Sequence, residues 1–532
     1  MKFVLFGLPC AGKTYQINKI NNLEKINGSE LLNKLSNNKF EELTVLEKQE
    51  KRNELLNYIK YKDNFIIDGH VLFPVERFPN LIPANIVFTE KDANAYDVYF
   101  YLYTDPKLIE KRMKESDKNK KYSNVDIKKW QEIEIKKLEE SCRKYNKDFY
   151  IIDNVEFFDE FVNEILKGYS NINKAKEIAA EIINENSDLE LNLIDGDKTI
   201  VKQDTSRYIL NYKTNIFNND FYTGYQFFLQ NKEMQKYENI IIPDNLIFNK
   251  VLLDKIKNKY NILISSGNSF IWNQLGKKLN FNKIFTGYDI SGETKYFICK
   301  FLKEKFKINA YGDSKNDLPM LKCANNGYLV YFNRLSRSLT DMDIRNINTM
   351  FCEPYILQEK IDNLEDLIEK TKSNSGISGN ELANTHFKLG EILGETLKSS
   401  IDENKTTIVS ILRGGLFISN GIYSKFNGHY QLYNDKTDKD FGIENKNDET
   451  IILIDSVINS GNTILKLIDK IEKNNINIII IAVVIQEKAL KKLDKYQILT
   501  IRTSKNKFIG AKVKKQTGNK GPDTSDRLFN ML

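Results

Sequence analysis

Short apolar runs recur along the chain and most of them stop at a small or acidic residue: KFVLF at 2–6, NFIID at 64–68, LNLID at 191–195, NILIS at 261–265, TIVSI at 407–411 and IILID at 451–455. Each is strand-length, and each is followed by a longer segment whose apolar residues return at helical spacing. Strands alternating with amphipathic helices predict α/β architecture with mainly parallel sheets. Three times the pattern starts afresh with a strand running into a loop of the phosphate-binding type: FVLFGLPCAGKT, LNLIDGDKTI and TIVSILRGG. The chain is therefore expected to form three doubly wound domains, at 1–170, 171–350 and 380–532. TKSNSGISGN at 371–380 has linker composition, and KAKEIAAEIINENSDLE reads as a helix joining the first two domains.

Composition narrows the class. A chain of 532 residues exceeds a single core, and 41% apolar residues with 27 Tyr and 31 Phe exclude whole-chain disorder. The net charge of +7 comes from scattered Lys with no basic block, which argues against a nucleic-acid tail and suits small phosphate-bearing substrates. Five Cys, far apart and without C-x-x-C spacing, argue against a disulfide framework or zinc site and point to a reducing, cytoplasmic setting. The start MKFVLFGL is too short for a signal sequence, and no apolar stretch reaches the ~18 residues of a membrane span.

GLPCAGKT at 7–14 matches G-x-x-x-x-G-K-[ST] between a strand and a helix. Gly7 and Gly12 permit a tight nest of N–H groups, Lys13 reaches the terminal phosphates of ATP, and Thr14 offers a hydroxyl to Mg²⁺. Asp68, at the end of the NFIIDGH strand, is placed to orient Mg²⁺ or accept a proton; His70 reads equally as a polar residue at a strand end. The segment at 97–154, with a strand ending in DP, a helix carrying Lys111 and Arg112 and a charged stretch behind it, resembles small nucleoside monophosphate kinases of the archaeal adenylate kinase type. That family's lid is rich in Arg. Here Arg112 is accompanied by Lys114, Lys118, Lys120 and Lys121, and the resemblance implies a phosphate-clamping role for Arg112.

LNLIDGDKTI delivers two carboxylates, Asp195 and Asp197, to one strand end, where one can attack a phosphoryl group while the other shuttles a proton. With NILISSGNS, GETKYF and AYGDSKNDLPML following in order, the segment resembles the haloacid dehalogenase superfamily of phosphatases, in its phosphoserine-phosphatase-like branch. The resemblance implies Asp195 as nucleophile, Asp197 as acid/base, Ser266 (or Ser265 in an alternative register) and Lys295 on the phosphate, and Asp195, Asp197, Asp313 and Asp317 around Mg²⁺. Residues 205–255 fall where that superfamily inserts a cap; Tyr222, Tyr225 and Phe227 there are read as core in preference to a base-stacking surface.

In IILIDSVINSGNTI, a buried strand leads to a small, polar, Gly-containing loop opening a helix, a shape that presents N–H groups to phosphate; Asp455 can grip ribose hydroxyls and Arg413 in ILRGG suits pyrophosphate. THFKLGEILGETL, ILRGG, HYQLYND, IDSVINSGNT and GPDTSDRLFN together resemble uracil phosphoribosyltransferases from about 380 onward. The resemblance implies a type I phosphoribosyltransferase fold, homo-oligomers through this domain, Arg413 on pyrophosphate, Asp455 on ribose, and Asn459, Ser460, Gly461, Asn462 and Thr463 on the 5′-phosphate. Asp523 and Asp526 would meet Mg²⁺ and phosphoribosyl diphosphate. Two departures stand out: Asn519, Lys520, Gly521 and Pro522 replace the family's base-reading residues ahead of Asp523, and Ser456 replaces its Pro.

The combined expectation is a fused nucleotide-metabolism enzyme. It makes a nucleoside monophosphate from a pyrimidine base, phosphorylates a nucleotide with ATP, and removes phosphate from a different substrate. The alternatives are nucleic-acid end repair, since a P-loop kinase followed by this phosphatase fold also resembles bacteriophage polynucleotide kinase-phosphatases, and a nucleotide-sensing RNA-binding regulator.

Overall fold

A computed structural model describes the chain except residues 75–83, 117–125, 188, 238–239, 333–335, 345–346, 399–400, 446, 472–475, 507–521 and 532. The architecture is α/β. Three mainly parallel sheets of five, six and six strands are joined by helices, with one small two-stranded antiparallel ribbon. Among the described residues no helix is long and apolar enough to cross a membrane.

The chain divides into two compact units: Met1–Ser187, Lys213–Asn239 and Gly287–Phe301 form one, and Asp188–Tyr212, Ile240–Thr286 and Leu302–Leu532 the other. The first is built on a parallel sheet in the order Glu24–Ile26, Phe65–Asp68, Lys2–Phe6, Val98–Leu102, Asp148–Ile152. Its two faces pack separate apolar clusters, because Phe3–Phe6, Phe65–Ile67 and all of Val98–Leu102 are buried. The helix Gly224–Met234 belongs to this unit. Its Tyr225, Phe228 and Leu229 join Phe100, Tyr150 and Phe161 in the core, and Gln226 donates to the Ile151 carbonyl and the Asp153 carboxylate, each at 2.8 Å. Of the aromatic residues read as core, Tyr225 and Phe227 are buried, whereas Tyr222, ahead of the helix, is only partly so.

The second unit holds two sheets. One runs Lys283–Thr286, Tyr260–Ser265, Glu190–Ile194, Lys307–Gly312, Asn326–Tyr331, Asn348–Phe351; the other runs Tyr355–Ile356, Gln497–Ser504, Asn477–Gln486, Thr450–Ile458, Thr406–Ile411, His429–Tyr433. This last sheet recruits residues well ahead of 380. Tyr355–Ile356 forms its edge, and Leu364 and Ile368 pack into its core. The linker-like stretch is pinned by Arg527, buried to 1% exposure, which donates to the carbonyls of Lys370, Thr371 and Ile377 and to the Ser375 hydroxyl. A guanidinium with five donors satisfies the open carbonyl end of helix Glu365–Thr371. Arg527 is therefore structural.

Candidate functional site

In the first unit, the strand Lys2–Phe6 ends at Gly7 and the helix begins at Lys13. Gly7 and Gly12 have φ of 152° and 101°, and a Cβ on Gly7 would stand 3.0 Å from the Leu102 carbonyl, so neither position suits a larger residue. Lys13 folds back over the loop, donating to the carbonyls of Gly7 (2.6 Å) and Leu8 (3.1 Å). Thr14 Oγ1 lies 3.5 Å from Asp68 Oδ2, while Asp68 Oδ1 accepts the N–H of Gly28 at 2.7 Å. A hydroxyl beside a fixed carboxylate is a hard-oxygen pair that fits Mg²⁺. Arg112 Nη1 donates to the Cys10 (3.2 Å) and Ala11 (3.1 Å) carbonyls, which ties its guanidinium to the loop at 7–14. His70 stacks obliquely on Phe73 with ring centroids 4.9 Å apart. Lys114 ends its helix in the open; Lys118, Lys120 and Lys121 lie outside the described residues.

One group here escaped the sequence reading. Glu134 is fully buried on helix Ile127–Tyr145, accepts the Leu72 N–H at 3.1 Å, and is pushed up to about 7 by burial against the lowering effect of that N–H and of Lys13. The signal was an acid on an otherwise apolar helical stripe, between Trp130 and Leu138.

In the second unit, the Asp195 N–H bonds to the Tyr311 carbonyl (2.9 Å), locking the strand end beside the one that delivers Asp313. Carboxylate oxygens of Asp195, Asp313 and Asp317 lie within 4.8 Å of one another, all buried, a donor set that fits Mg²⁺. Asp197 stands outside this cluster. Its Oδ1 accepts the Thr205 N–H at 2.7 Å, and burial first, then Asp204, push it up to about 7, a value suited to proton transfer near neutrality. Ser266 Oγ accepts a bond from Asn316 Nδ2 (3.1 Å), whereas Ser265 accepts the Gly267 N–H within its own turn (3.2 Å). Trp272 fills the space behind both loops, only 2.5 Å from a Cβ on Gly196 and 2.6 Å from one on Gly267. Lys295 is buried on helix Gly292–Leu302, in a segment that belongs to the first unit.

The last sheet assembles the remaining candidates. Strand Thr450–Ile458 continues three residues beyond Asp455 because it stays paired with Asn477–Gln486, so Asp455 sits within the strand and not at its end. Asp455 Oδ1 accepts the Ser456 N–H at 2.7 Å and would lie 2.7 Å from a Cβ on Gly414. Burial, with a further push from Asp523, raises its carboxyl to about 7 against the Ser456 and Val457 N–H groups. Ser456 Oγ donates to the Gly414 carbonyl at 2.5 Å. Arg413 follows a cis peptide and pairs with Asp526 at 3.0 Å. Asp523 caps helix Thr524–Leu528, accepting the N–H groups of Ser525 (2.9 Å) and Asp526 (3.2 Å). Asn459, Ser460 and Gly461, the last at φ 74°, lead into a helix that starts at Asn462 and Thr463. Asn519, Lys520 and Gly521 lie outside the described residues.

Solved structures align weakly. A UMP synthase of Leishmania donovani shares 10% identity over 94% of this chain and 90% of its own, at a TM-score of 0.22. An adenine phosphoribosyltransferase of the same organism shares 14% over 25% and 72%, at 0.20, and a HAD family hydrolase of Salmonella enterica serovar Typhi 15% over 29% and 71%, at 0.19. No curated protein matches the sequence. Residues 380–531 match the family model for uracil phosphoribosyltransferase.

Proposed function

We propose that the C-terminal region transfers the phosphoribosyl group of phosphoribosyl diphosphate to a pyrimidine base, uracil first among them, releasing pyrophosphate and forming a nucleoside monophosphate. The observation that carries this reading is the family match over 380–531, within which Arg413, Asp455, Asp523 and Asp526 come to one end of one sheet. Ionised Asp455 would accept from the ribose hydroxyls, the loop at 459–463 would hold the 5′-phosphate with backbone N–H groups, and Arg413 would release Asp526 to meet the departing pyrophosphate. Mg²⁺, if held by Asp523 and Asp526, would neutralise that leaving group. Incubation of the full chain with uracil, phosphoribosyl diphosphate and Mg²⁺ should yield UMP. Turnover of hypoxanthine or orotate in place of uracil would remove the base assignment.

For the rest of the chain we propose ATP-dependent phosphorylation of a nucleotide at the 7–14 loop and phosphate monoester hydrolysis through Asp195. The grounds are the Thr14–Asp68 pair and the Asp195, Asp313, Asp317 cluster. Lys13 would turn from the loop carbonyls to the β- and γ-phosphates, and Asp197 would protonate the leaving alcohol. A kinase and a phosphatase sharing one substrate would be futile, so the two are assigned distinct substrates. Phosphorylation of 5′-hydroxyl oligonucleotides but of no mononucleotide would favour end repair for this half.

A further inference from the structure

The left-handed backbone region crowds a Cβ, and it is occupied readily only by Gly and, less so, by Asn and Asp. Among the described residues, those with positive φ other than Gly are Asn or Asp at every position but two: Cys10 at 64° and Lys198 at 54°. Cys10 lies in the phosphate loop. Lys198 directly follows Asp197, where a Gly or Asn would fit the backbone without strain. Strained side chains of this kind are retained where the side chain itself is needed.

The Lys198 turn is held from both sides. Its N–H bonds to the Gln203 carbonyl (3.3 Å), and the Thr199 and Ile200 N–H groups bond to the Gly196 carbonyl (3.3 and 2.8 Å). The side chain is half exposed and its ammonium stands 3.6 Å from Asp204 Oδ2, a long contact for an ion pair, with Asp313 and Asp197 as its other charged neighbours. Asp204 is partly engaged already, since its Oδ1 caps the Arg207 N–H at 3.1 Å. The ammonium therefore sits at the rim of a carboxylate-walled site with one side open to solvent. Such a wall repels any leaving group that is itself anionic, and a cation at its rim is what would reverse that bias.

Resting on the phosphatase reading, we propose that Lys198 is a specificity-determining residue that selects phosphate monoesters whose alcohol carries a second anionic group. The test pair is 3-phosphoglycerate and glycerol 1-phosphate, which differ by a carboxylate in place of a hydroxymethyl group. The wild-type chain should prefer the first in kcat/KM by about five- to tenfold. Lys198→Gly and Lys198→Asn, both at ease in the left-handed region, should bring the ratio close to one without lowering Tm, while Lys198→Arg should keep it. A merely structural counter-ion for the acidic cluster predicts the reverse: Tm falls in the Gly and Asn variants and the ratio does not move. That outcome, or a wild type without preference, overturns the proposal. Asp195→Asn separates the two readings. If it leaves hydrolysis of both substrates intact, or if the wild type hydrolyses neither, the phosphatase reading itself fails; if it abolishes hydrolysis and the ratio still ignores residue 198, only the role of Lys198 fails.

Discussion

Two strand–loop–helix turns of the molecule, at 7–14 and 459–463, carry the proposed phosphate sites, and they are equipped differently. The loop at 7–14 carries its own cation, and both Lys13 and Arg112 are tied to its carbonyls. The loop at 459–463 has no charged residue in its sequence. The buried Asp455 lies on the strand ahead of it, and its cations come from other segments: Lys492 Nζ donates to Asn462 Oδ1 at 3.3 Å, and Arg413, in the turn after Thr406–Ile411, is paired with Asp526. A loop with built-in cations suits a highly charged triphosphate. A neutral loop beside a carboxylate suits a sugar phosphate, whose hydroxyls need an acceptor as much as its phosphate needs donors.

If that division is real, removing each loop's distinctive group should silence one activity and spare the other. Asp455→Asn keeps one oxygen to accept the Ser456 N–H and nearly the same volume, while removing the charge and turning the second acceptor into a donor, so the fold should survive. UMP formation should drop ~10²–10³-fold with ATP-dependent phosphorylation unchanged. Lys13→Ala should lower phosphoryl transfer by ~10²-fold and weaken ATP binding, leaving UMP formation as it was. A loss of both activities in either variant would mean that the sites are not independent.

A smaller effect should appear in stability. The Glu134 carboxyl, near the first loop, is raised from 4.5 to about 7 mainly by burial. In the folded chain it stays protonated where the unfolded chain has ionised it. Its contribution is therefore fully present below about 4.5 and is lost as pH rises toward about 7. Glu134→Gln, neutral throughout, should flatten that part of the unfolding profile and gain on the wild type by ~1–3 kcal/mol at pH 7.5. His386, buried on helix Gly379–Lys398, has the opposite sign. Burial pushes its imidazole down from 6.5 to about 4, so its contribution is present above about 6.5 and lost as pH falls toward 4. Urea titrations at several pH values for wild type and Glu134→Gln would show whether the two edges separate.

The α/β class and the loops were legible because strand period, Gly spacing and acidic strand ends are local signals. Gly7, Gly12 and Gly461 all proved to occupy positive φ. What the sequence concealed is long-range. Nothing near residue 355 announces that Tyr355–Ile356 will pair with Gln497–Ser504, nor does the Ser/Gly-rich stretch at 371–380 reveal that Arg527 will fasten it. The strand beyond Asp455 looked like loop because Ser456 and the run Asn459–Ser460–Gly461 are small or polar, yet pairing with Asn477–Gln486 carries it through Val457 to Ile458. Glu134 was missed for a related reason: a lone acid on a helix reads as solvated until the strand that covers it is in place.

The finest distinction between the two sites is how each loop is joined to its partner segment. At the first, Arg112 crosses to the loop with a charged donor; at the second, Lys492 donates to Asn462 at 3.3 Å, and a hydroxyl ties the strand ahead of the loop to a neighbouring turn. Ser456, 1% exposed, donates to the Gly414 carbonyl at 2.5 Å and so links the strand bearing Asp455 to the turn after Arg413. Ser456→Ala leaves that carbonyl without this donor. Loss of one neutral buried bond is worth ~0.5–1.5 kcal/mol, or roughly two- to tenfold in an equilibrium. If the bond only preorganises the turn for pyrophosphate, the change should fall on KM for phosphoribosyl diphosphate, leaving kcat and the KM for uracil close to wild type. A matching fall in kcat would instead mean that the turn is still being positioned at the transition state, as the Arg413–Asp526 exchange would require.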